Sequence, residues 1–408
     1  MALFSPSNQF EQQSARLKEG RRRLHRALEH YPKLLHTLTN LPVTGRNLRE
    51  ILITSGEIND RHGTGLLLSR LFSGSSAFSI HARSFYGTQG EFAALEIANG
   101  GPGDQFASFI LREIGGLLRV EYILVVPYMP DDAHSAIALK EATKAPLATW
   151  VMDDQTVFSD QFPKSLFKKL FAQSDIRFVI SPEMKREYQD VFGVPFFVLP
   201  PTVSQTLLNN ARRTSRLDND SKCCALIGNV WSASWLTRLE GLIAKSGWKV
   251  NWYGHDSGRN GENPSFIKKG FVNEIELAEG LAAMPFVIAP TGTGDDKDDG
   301  IHITRLSLPS RIPYLLAVHR VPILVIGSEE SCAARFVSRL GVGLHCGYNP
   351  DEFKKAAQRL RDPDFNAFCR TNCAKHAALF GDEGLAEWIW KSASAGTPID
   401  SRFAIFDS

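Results

Sequence analysis

The sequence predicts an α/β protein with two Rossmann-like, doubly wound domains facing each other across a cleft. The chain has 408 residues, more than the roughly 250–300 at which a single hydrophobic core stops growing. Short apolar runs alternate with helix-length segments in both halves, which is typical of parallel sheets covered by helices on both faces. A polar segment rich in Pro, Asn, Arg and Ser separates the halves at about 200–221, as expected of an interdomain link.

Strands in the first half are predicted from short apolar, β-branched runs that end at turn residues. The first run, 50–55, ends at Gly56, and a polar loop then leads into a helix from Leu66. The other predicted strands are 122–126, 147–152, 177–181 and 196–199, and the predicted helices are 133–143 and 183–192.

The second half shows the same alternation of predicted strands and helices. Its predicted strands are 224–227, 248–253, 286–289 and 322–326, and its predicted helices are 235–245, 274–283 and 310–319. The resulting divisions are an N-terminal helical extension (1–47), a first domain (48–203), a linker (204–220), a second domain (221–380) and a C-terminal helix and tail (381–408). Ligands of such folds bind outside the carboxyl ends of the strands, which is where we expect the site.

Composition narrows the class of protein. Lys and Arg number 46 against 44 Asp and Glu, too even a balance for a protein that works mainly on nucleic acid. Six cysteines, two of them the neighbours Cys223 and Cys224, disfavour a disulfide framework and favour the cytoplasm. We expect neither a secretory signal nor a membrane span. The basic segment 18–26 is either a solvated helix or a peripheral contact with anionic lipid.

Gly63-Thr64-Gly65 follows the first predicted strand, where absent side chains and free helix N–H groups suit an anion or a close substrate. A dinucleotide fingerprint needs a further glycine where Leu68 stands, and no Gly-Lys-Ser/Thr of a Walker A loop follows. NAD is therefore disfavoured, and the motif is either a binding loop or a simple turn.

Ser310 is a natural N-cap for the predicted helix 310–319, with Pro313 in its first turn. The positive end of this helix, with Arg311 beside it, suits a diphosphate. An ordinary capped helix is the alternative.

Acidic and sulfur-bearing clusters offer weaker candidates. The run 295–299 does not fit a calcium loop, since Leu306 falls where a bidentate acid is required, and we expect a solvated, mobile loop. Cys369, Cys373 and His376 share a helical face without an evident fourth ligand, so we expect core packing. Asp153 and Asp154 end a predicted strand, where a carboxylate can accept a proton or hold a sugar hydroxyl.

A series of short motifs carries a family resemblance over about 48–395. The motifs are Gly63–Gly65, 178–184 with Tyr188, 198–201, 225–228, 252–254, 270–272, 309–317 and 321–324. In this order they resemble glycosyltransferases of the GT-B fold, in the large retaining group known as family 4, which use nucleotide-sugar donors.

The resemblance implies that the second domain holds the nucleotide sugar and the first receives the acceptor. It implies no metal and no resident cofactor, the nucleotide sugar being a co-substrate, because oriented N–H groups or cations can stabilise the leaving diphosphate. Asp153 and Asp154 stand near the place of a family histidine and are the predicted catalytic residues. The implied donor-binding residues are Gly63, Thr64, Gly65, Gly254, His255, Thr291, Gly292, Arg305, Ser310, Arg311 and Tyr314.

The chain also departs from the family pattern. Leu306 and Tyr314 stand where the family has two glutamates, and the segment 228–234 lacks the usual arginine and lysine, for which Arg305 and Arg311 are candidate substitutes. The leading hypothesis is a sugar transferase acting on a glycan, lipid-linked or protein acceptor. The alternatives are a non-catalytic subunit of this fold, binding a glycan, nucleotide or partner glycosyltransferase, and a sugar-nucleotide epimerase.

Overall fold

The computed structural model describes residues 49–55, 58–59, 63–73, 78–81, 93–96, 120–159, 162–210, 222–254, 263–295 and 298–406. The predicted extension 1–47, with its basic segment 18–26, lies outside these ranges. So do most of the predicted linker and His255. The chain divides into two compact units: one holds 1–151, 161–178 and 386–399, and the other holds 152–160, 179–385 and 400–408.

Thirteen strands form two sheets in the described part of the chain. They are β1 (Glu50–Thr54), β2 (Phe78–His81), β3 (Ala93–Glu96), β4 (Tyr122–Val126), β5 (Leu147–Val151), β6 (Ile176–Val179), β7 (Phe197–Val198), β8 (Cys223–Ile227), β9 (Lys249–Tyr253), β10 (Phe266–Lys268), β11 (Val287–Pro290), β12 (Ile323–Ile326) and β13 (Gly343–Cys346). Every predicted strand is confirmed, with bounds within two residues.

The helices lie between these strands. They are α1 (Gly63–Leu71), α2 (Pro130–Thr143), α3 (Lys164–Gln173), α4 (Pro182–Phe192), α5 (Gln205–Asn209), α6 (Ala233–Ser246), α7 (Glu274–Ala282), α8 (Ile301–Leu306), α9 (Arg311–Tyr314), α10 (Cys332–Leu340), α11 (Pro350–Arg361), α12 (Pro363–His376) and α13 (Leu385–Ala395). A π-helical turn, Leu315–His319, continues α9 directly.

Both sheets have the doubly wound strand order. One runs β3-β2-β1-β4-β5-β6-β7 and the other β10-β9-β8-β11-β12-β13. In the first sheet β1 pairs in parallel with β2 and β4, and in the second β11 pairs in parallel with β8 and β12. The predicted pair of Rossmann-like domains is confirmed.

Helix α13, part of the predicted C-terminal segment, belongs largely to the first unit although it lies near the end of the sequence, and the residues 400–408 after it belong to the second unit. Trp390 stacks on Tyr122 with centroids 5.1 Å apart and planes 12° apart, and its indole N–H donates to Glu50 at 2.9 Å. Burying an aromatic side chain of this size contributes about 1.5–3 kcal/mol. The end of the chain therefore helps to hold the first unit together.

Cysteines are packed rather than paired. All six are free thiols. Cys369 and Cys373 are fully buried, which confirms the expected core packing for these two residues, whereas His376 is only half-buried. Within the described ranges, no cluster of three or more His, Cys, Asp or Glu could hold a metal ion. Searching the same ranges shows no helix long and apolar enough to cross a membrane.

Candidate nucleotide-sugar site

The strand order of the second sheet predicts where a ligand binds. Strand order reverses between β8 and β11, and ligands of doubly wound sheets bind at the carboxyl ends of the strands at such a switch point. The loop after β8 is 228–232, and the loop after β11 is 291–300. We call these the β8 loop and the β11 loop.

Glycines set the path of the β8 loop. Gly228 has a φ of +71°, a conformation that favours glycine. A Cβ on Gly254, at the end of β9, would lie 2.7 Å from the Gly228 carbonyl oxygen, and Trp252 donates its indole N–H to that oxygen at 2.8 Å. Gly254, a predicted donor-binding residue, therefore lies directly against the β8 loop.

Arg311 holds the same loop from α9. Its guanidinium donates to the Ile227 carbonyl at 2.9 Å and to the Asn229 carbonyl at 2.6 Å. Burial lowers the pKa of Arg311 to about 10, because a cation is less well solvated there than in water. The residue stays charged at neutral pH, and a nearby anion would stabilise it.

The predicted capping role of Ser310 is wrong. The backbone of Ser310 is already helical, with φ −57° and ψ −25°, and its side chain makes no capping hydrogen bond. An N-cap side chain needs an extended backbone to reach the following N–H groups. Arg311 is thus the feature of this segment that reaches the switch point.

Asp298 organises the β11 loop. Its carboxylate, only 8% exposed, accepts from Gly294 N at 2.9 Å, Gly300 N at 3.1 Å, the Thr304 hydroxyl at 2.8 Å and the Trp235 indole at 3.1 Å. The expectation of a solvated, mobile loop is therefore wrong around this residue. Its carboxylate fixes the described parts of the loop, 291–295 and 298–300, relative to each other.

Thr291 and Gly292, predicted to neighbour the transferred sugar, lie at the base of this loop. Thr291 is 4% exposed, and its carbonyl accepts from the Tyr348 hydroxyl at 2.6 Å. Gly292 N donates to the Thr304 hydroxyl at 3.1 Å. A Cβ on Gly292 would lie 1.9 Å from the Asp298 carboxylate, so only glycine fits.

Two further arginines flank the β11 loop. Arg305, on α8, donates to the Gly294 carbonyl at 3.4 Å. Arg238, on α6, donates to the Thr293 hydroxyl at 3.4 Å and the Ser234 hydroxyl at 2.9 Å. The Nε atoms of both arginines are buried and have no hydrogen-bond partner among the described residues, and Arg238 also pairs with the Asp299 carboxylate at 3.7 Å.

Arg238 is the site residue that the sequence reasoning missed. It lies four residues after Ser234 and so shares a helical face with the first turn of α6, which directly follows the β8 loop. The four-residue spacing between Ser234 and Arg238, in the helix that follows β8 and Gly228, could have identified Arg238 from the sequence.

The two predicted catalytic aspartates differ sharply, and both belong to the second unit. Asp154 is fully buried and accepts from four backbone N–H groups, those of 156–159, at 2.7–3.2 Å. It also accepts from the Tyr188 hydroxyl at 2.8 Å. Asp153 is half-buried and accepts from the Ser307 hydroxyl at 3.0 Å. The geometry gives Asp154 a structural role and leaves Asp153 as the better catalytic candidate.

The two residues at the family's glutamate positions are not equivalent. Leu306 is 1% exposed, so its side chain is part of the core. The Tyr314 hydroxyl bonds both carboxylate oxygens of Glu274, at 2.8 and 2.6 Å. This places a carboxylate beside Tyr314, one helical turn after Arg311.

In the first unit, Gly63, Thr64 and Gly65 form the first turn of α1 rather than a loop before it. The Thr64 hydroxyl bonds the Tyr128 hydroxyl, at the carboxyl end of β4. Asp132 in α2 accepts from the backbone N–H groups of Tyr128 and Met129, both at 2.9 Å. Burial raises the pKa of Asp132 to about 7.

Comparison with solved structures supports the architecture. Sucrose-phosphate synthase from Thermosynechococcus elongatus matches with a TM-score of 0.60 and 11% identity, over 85% of this chain and 98% of its own. Anabaena HepE, crystallised with UDP and glucose, matches with a TM-score of 0.60 and 11% identity, over 85% and 100%. The chain has the GT-B fold.

A third GT-B structure agrees. Trehalose-6-phosphate synthase from E. coli, bound with UDP-2-fluoro glucose, matches with a TM-score of 0.59 and 10% identity, over 85% of this chain and 98% of its own. No protein-family model matches this chain, and no curated protein matches it in sequence.

Proposed function

We propose that this protein is a glycosyltransferase that moves a hexose-type sugar from a nucleoside diphosphate to a glycan, lipid-linked or protein acceptor, with retention at the anomeric carbon. The observation that carries the proposal is the switch point of the second sheet. Arg238, Arg305 and Arg311 come from three helices and contact its two loops, at Thr293, Gly294 and Asn229 respectively. Convergent cations at a switch point suit a diphosphate.

The chemistry follows from that charge arrangement. In the transfer, the bond from the anomeric carbon to the diphosphate breaks, a bond to the acceptor oxygen forms, and the acceptor loses a proton. Negative charge grows on the departing diphosphate, and fixed cations stabilise that charge in the transition state. Asp153 can accept the hydrogen bond of a sugar hydroxyl or the acceptor proton. We place the activity in the cytoplasm, in keeping with the six free thiols.

The structural neighbours support a uridine nucleotide as the first donor to test, since HepE was crystallised with UDP and UDP-glucose. Thermal unfolding with UDP, GDP, ADP and their glucose conjugates should show stabilisation by one nucleotide class. Release of the nucleoside diphosphate from the corresponding nucleotide sugar should then demonstrate turnover. Unchanged unfolding temperatures across the whole nucleotide panel would contradict the proposal.

A non-catalytic subunit with the same fold is the second candidate. Burial of Leu306, at a position where the family has a glutamate, favours it, because a buried hydrocarbon cannot hold a sugar hydroxyl. This candidate predicts nucleotide or glycan binding without turnover by the isolated protein, and activity only in a complex with another glycosyltransferase. Turnover by the isolated chain, abolished in Asp153→Asn, would exclude it.

A further inference from the structure

Trp231 in the β8 loop is a large apolar side chain that the chain leaves 48% exposed. An exposed tryptophan on a mobile loop would be unremarkable, but this indole is held in place. Its ring centroid lies 5.5 Å from that of Trp235, and the ring of His302 approaches at 6.0 Å with planes 84° apart.

Gly300 in the β11 loop provides the space for this arrangement. A Cβ at residue 300 would lie 2.8 Å from the Trp231 ring and 3.1 Å from the Trp235 ring. The backbone of the β11 loop therefore passes directly against both indoles. Trp231 bridges the two loops of the switch point, with part of its ring system open to solvent.

The polar edge of Trp231 is also available. Its indole N–H has no hydrogen-bond partner within the described part of the chain. Because the ring is already held in place, little side-chain entropy is lost when a ligand binds to it. Tryptophan suits ligands that have an apolar face and a hydrated polar edge, because its ring is apolar and its N–H is a donor.

We propose that Trp231 is a stacking surface for the pyranose ring of the donor sugar. This inference rests on the proposed function and identifies a residue that selects the sugar. A pyranose presents C–H groups on its face and hydroxyls around its rim, which match an indole ring and its N–H. The donor sugar is the favoured occupant because Trp231 lies two residues after Asn229, which Arg311 contacts, and against the β11 loop, which Arg238 and Arg305 contact. A sugar joined to a diphosphate held by these arginines would therefore lie beside the indole.

The test compares the affinities of UDP and UDP-glucose, measured by calorimetry, in wild type and variants. UDP lacks the sugar, so loss of the stacking surface should leave its affinity within twofold. Trp231→Ala should weaken UDP-glucose about tenfold, and Trp231→Phe should restore affinity to within threefold of wild type. Gly300→Ala should reproduce the loss, because its new methyl group displaces both indoles.

Phe368→Ala is the matched control, since Phe368 is 54% exposed on α12 and has no contact with either loop. An unchanged UDP-glucose to UDP affinity ratio in Trp231→Ala would overturn the inference, and so would an effect confined to acceptor KM. Failure of wild type to bind UDP, GDP, ADP or their sugars would instead refute the proposed function.

Discussion

Replacing Arg311 with alanine tests the diphosphate site most directly. The wild-type guanidinium makes hydrogen bonds of 2.9 and 2.6 Å to two carbonyls of the β8 loop. A hydrogen bond involving a charged group contributes about 1.5–3 kcal/mol. Because Arg311 is half-buried, water can replace part of the two lost hydrogen bonds in the variant. We therefore expect the free energy of unfolding to fall by about 1.5–3 kcal/mol in total.

The same change should weaken nucleotide binding separately. A charge-assisted contact with a diphosphate oxygen contributes about 1.5–3 kcal/mol, which is a tenfold or greater loss of affinity. Distortion of the β8 loop alone would affect any ligand that contacts the loop. Calorimetry with UDP and with uridine separates the two effects, since only UDP carries the diphosphate.

We therefore expect Arg311→Ala to weaken UDP more than tenfold and uridine less than threefold. Arg359→Ala serves as a control, because Arg359 is exposed on α11 and pairs with Asp362. Equal losses for UDP and uridine, or unchanged UDP affinity with lower stability, would show that Arg311 only supports the loop.

Three further predictions concern buried polar groups. Asp154→Asn should lower the free energy of unfolding by about 2–4 kcal/mol, because the new amide N–H would face backbone donors. Turnover of the folded enzyme, measured at low temperature, should change less than threefold. A hundredfold loss of turnover would restore Asp154 as a catalytic residue. Gly292→Ala should lower the free energy of unfolding by about 1–3 kcal/mol, because its new methyl group clashes with Asp298. Gly241→Ala, which has open space around its Cβ, should instead stabilise the protein slightly. Urea titrations of both variants measure these changes. Burial raises the pKa of Asp132 to about 7, so the folded state binds this proton more tightly than the unfolded chain. The contribution of Asp132 to stability is then fully present below about pH 4 and is lost as the pH rises to 7, by at most about 4 kcal/mol. Urea titrations from pH 4 to 7.5 should show a smaller fall in stability with pH in Asp132→Asn than in wild type, and equal slopes would contradict the prediction.

The strands could be predicted because their signal is local. Buried central strands such as β4 and β12 are continuous apolar runs, and their ends coincide with turn residues. The four missed strands, β2, β3, β10 and β13, have only three or four residues each, and all but β2 lie at a sheet edge. So short a strand carries little hydrophobic pattern.

Side-chain roles could not be predicted in the same way, because they depend on contacts between distant residues. Asp298 looks like one of several solvated acids in the sequence, yet an indole N–H from Trp235 in α6 completes its burial. Asp154 resembles Asp153 in every local respect, and only the turn of 156–159 and Tyr188 distinguish them. Fold class is encoded locally, whereas the assignment of a carboxylate to structure or chemistry is not.

The proposed donor-binding and catalytic roles fall on different residues, so they can be separated experimentally. We propose the three arginines and the glycine-shaped loops as the diphosphate site, and a non-catalytic subunit would retain them equally well. We expect loss of the Asp153 carboxylate to leave nucleotide affinity intact and remove turnover, since Asp153 accepts from the Ser307 hydroxyl whereas the proposed diphosphate contacts are those of the arginines. If Asp153→Asn keeps full turnover while Arg311→Ala loses binding, the second unit is a donor site whose reacting base comes from another residue.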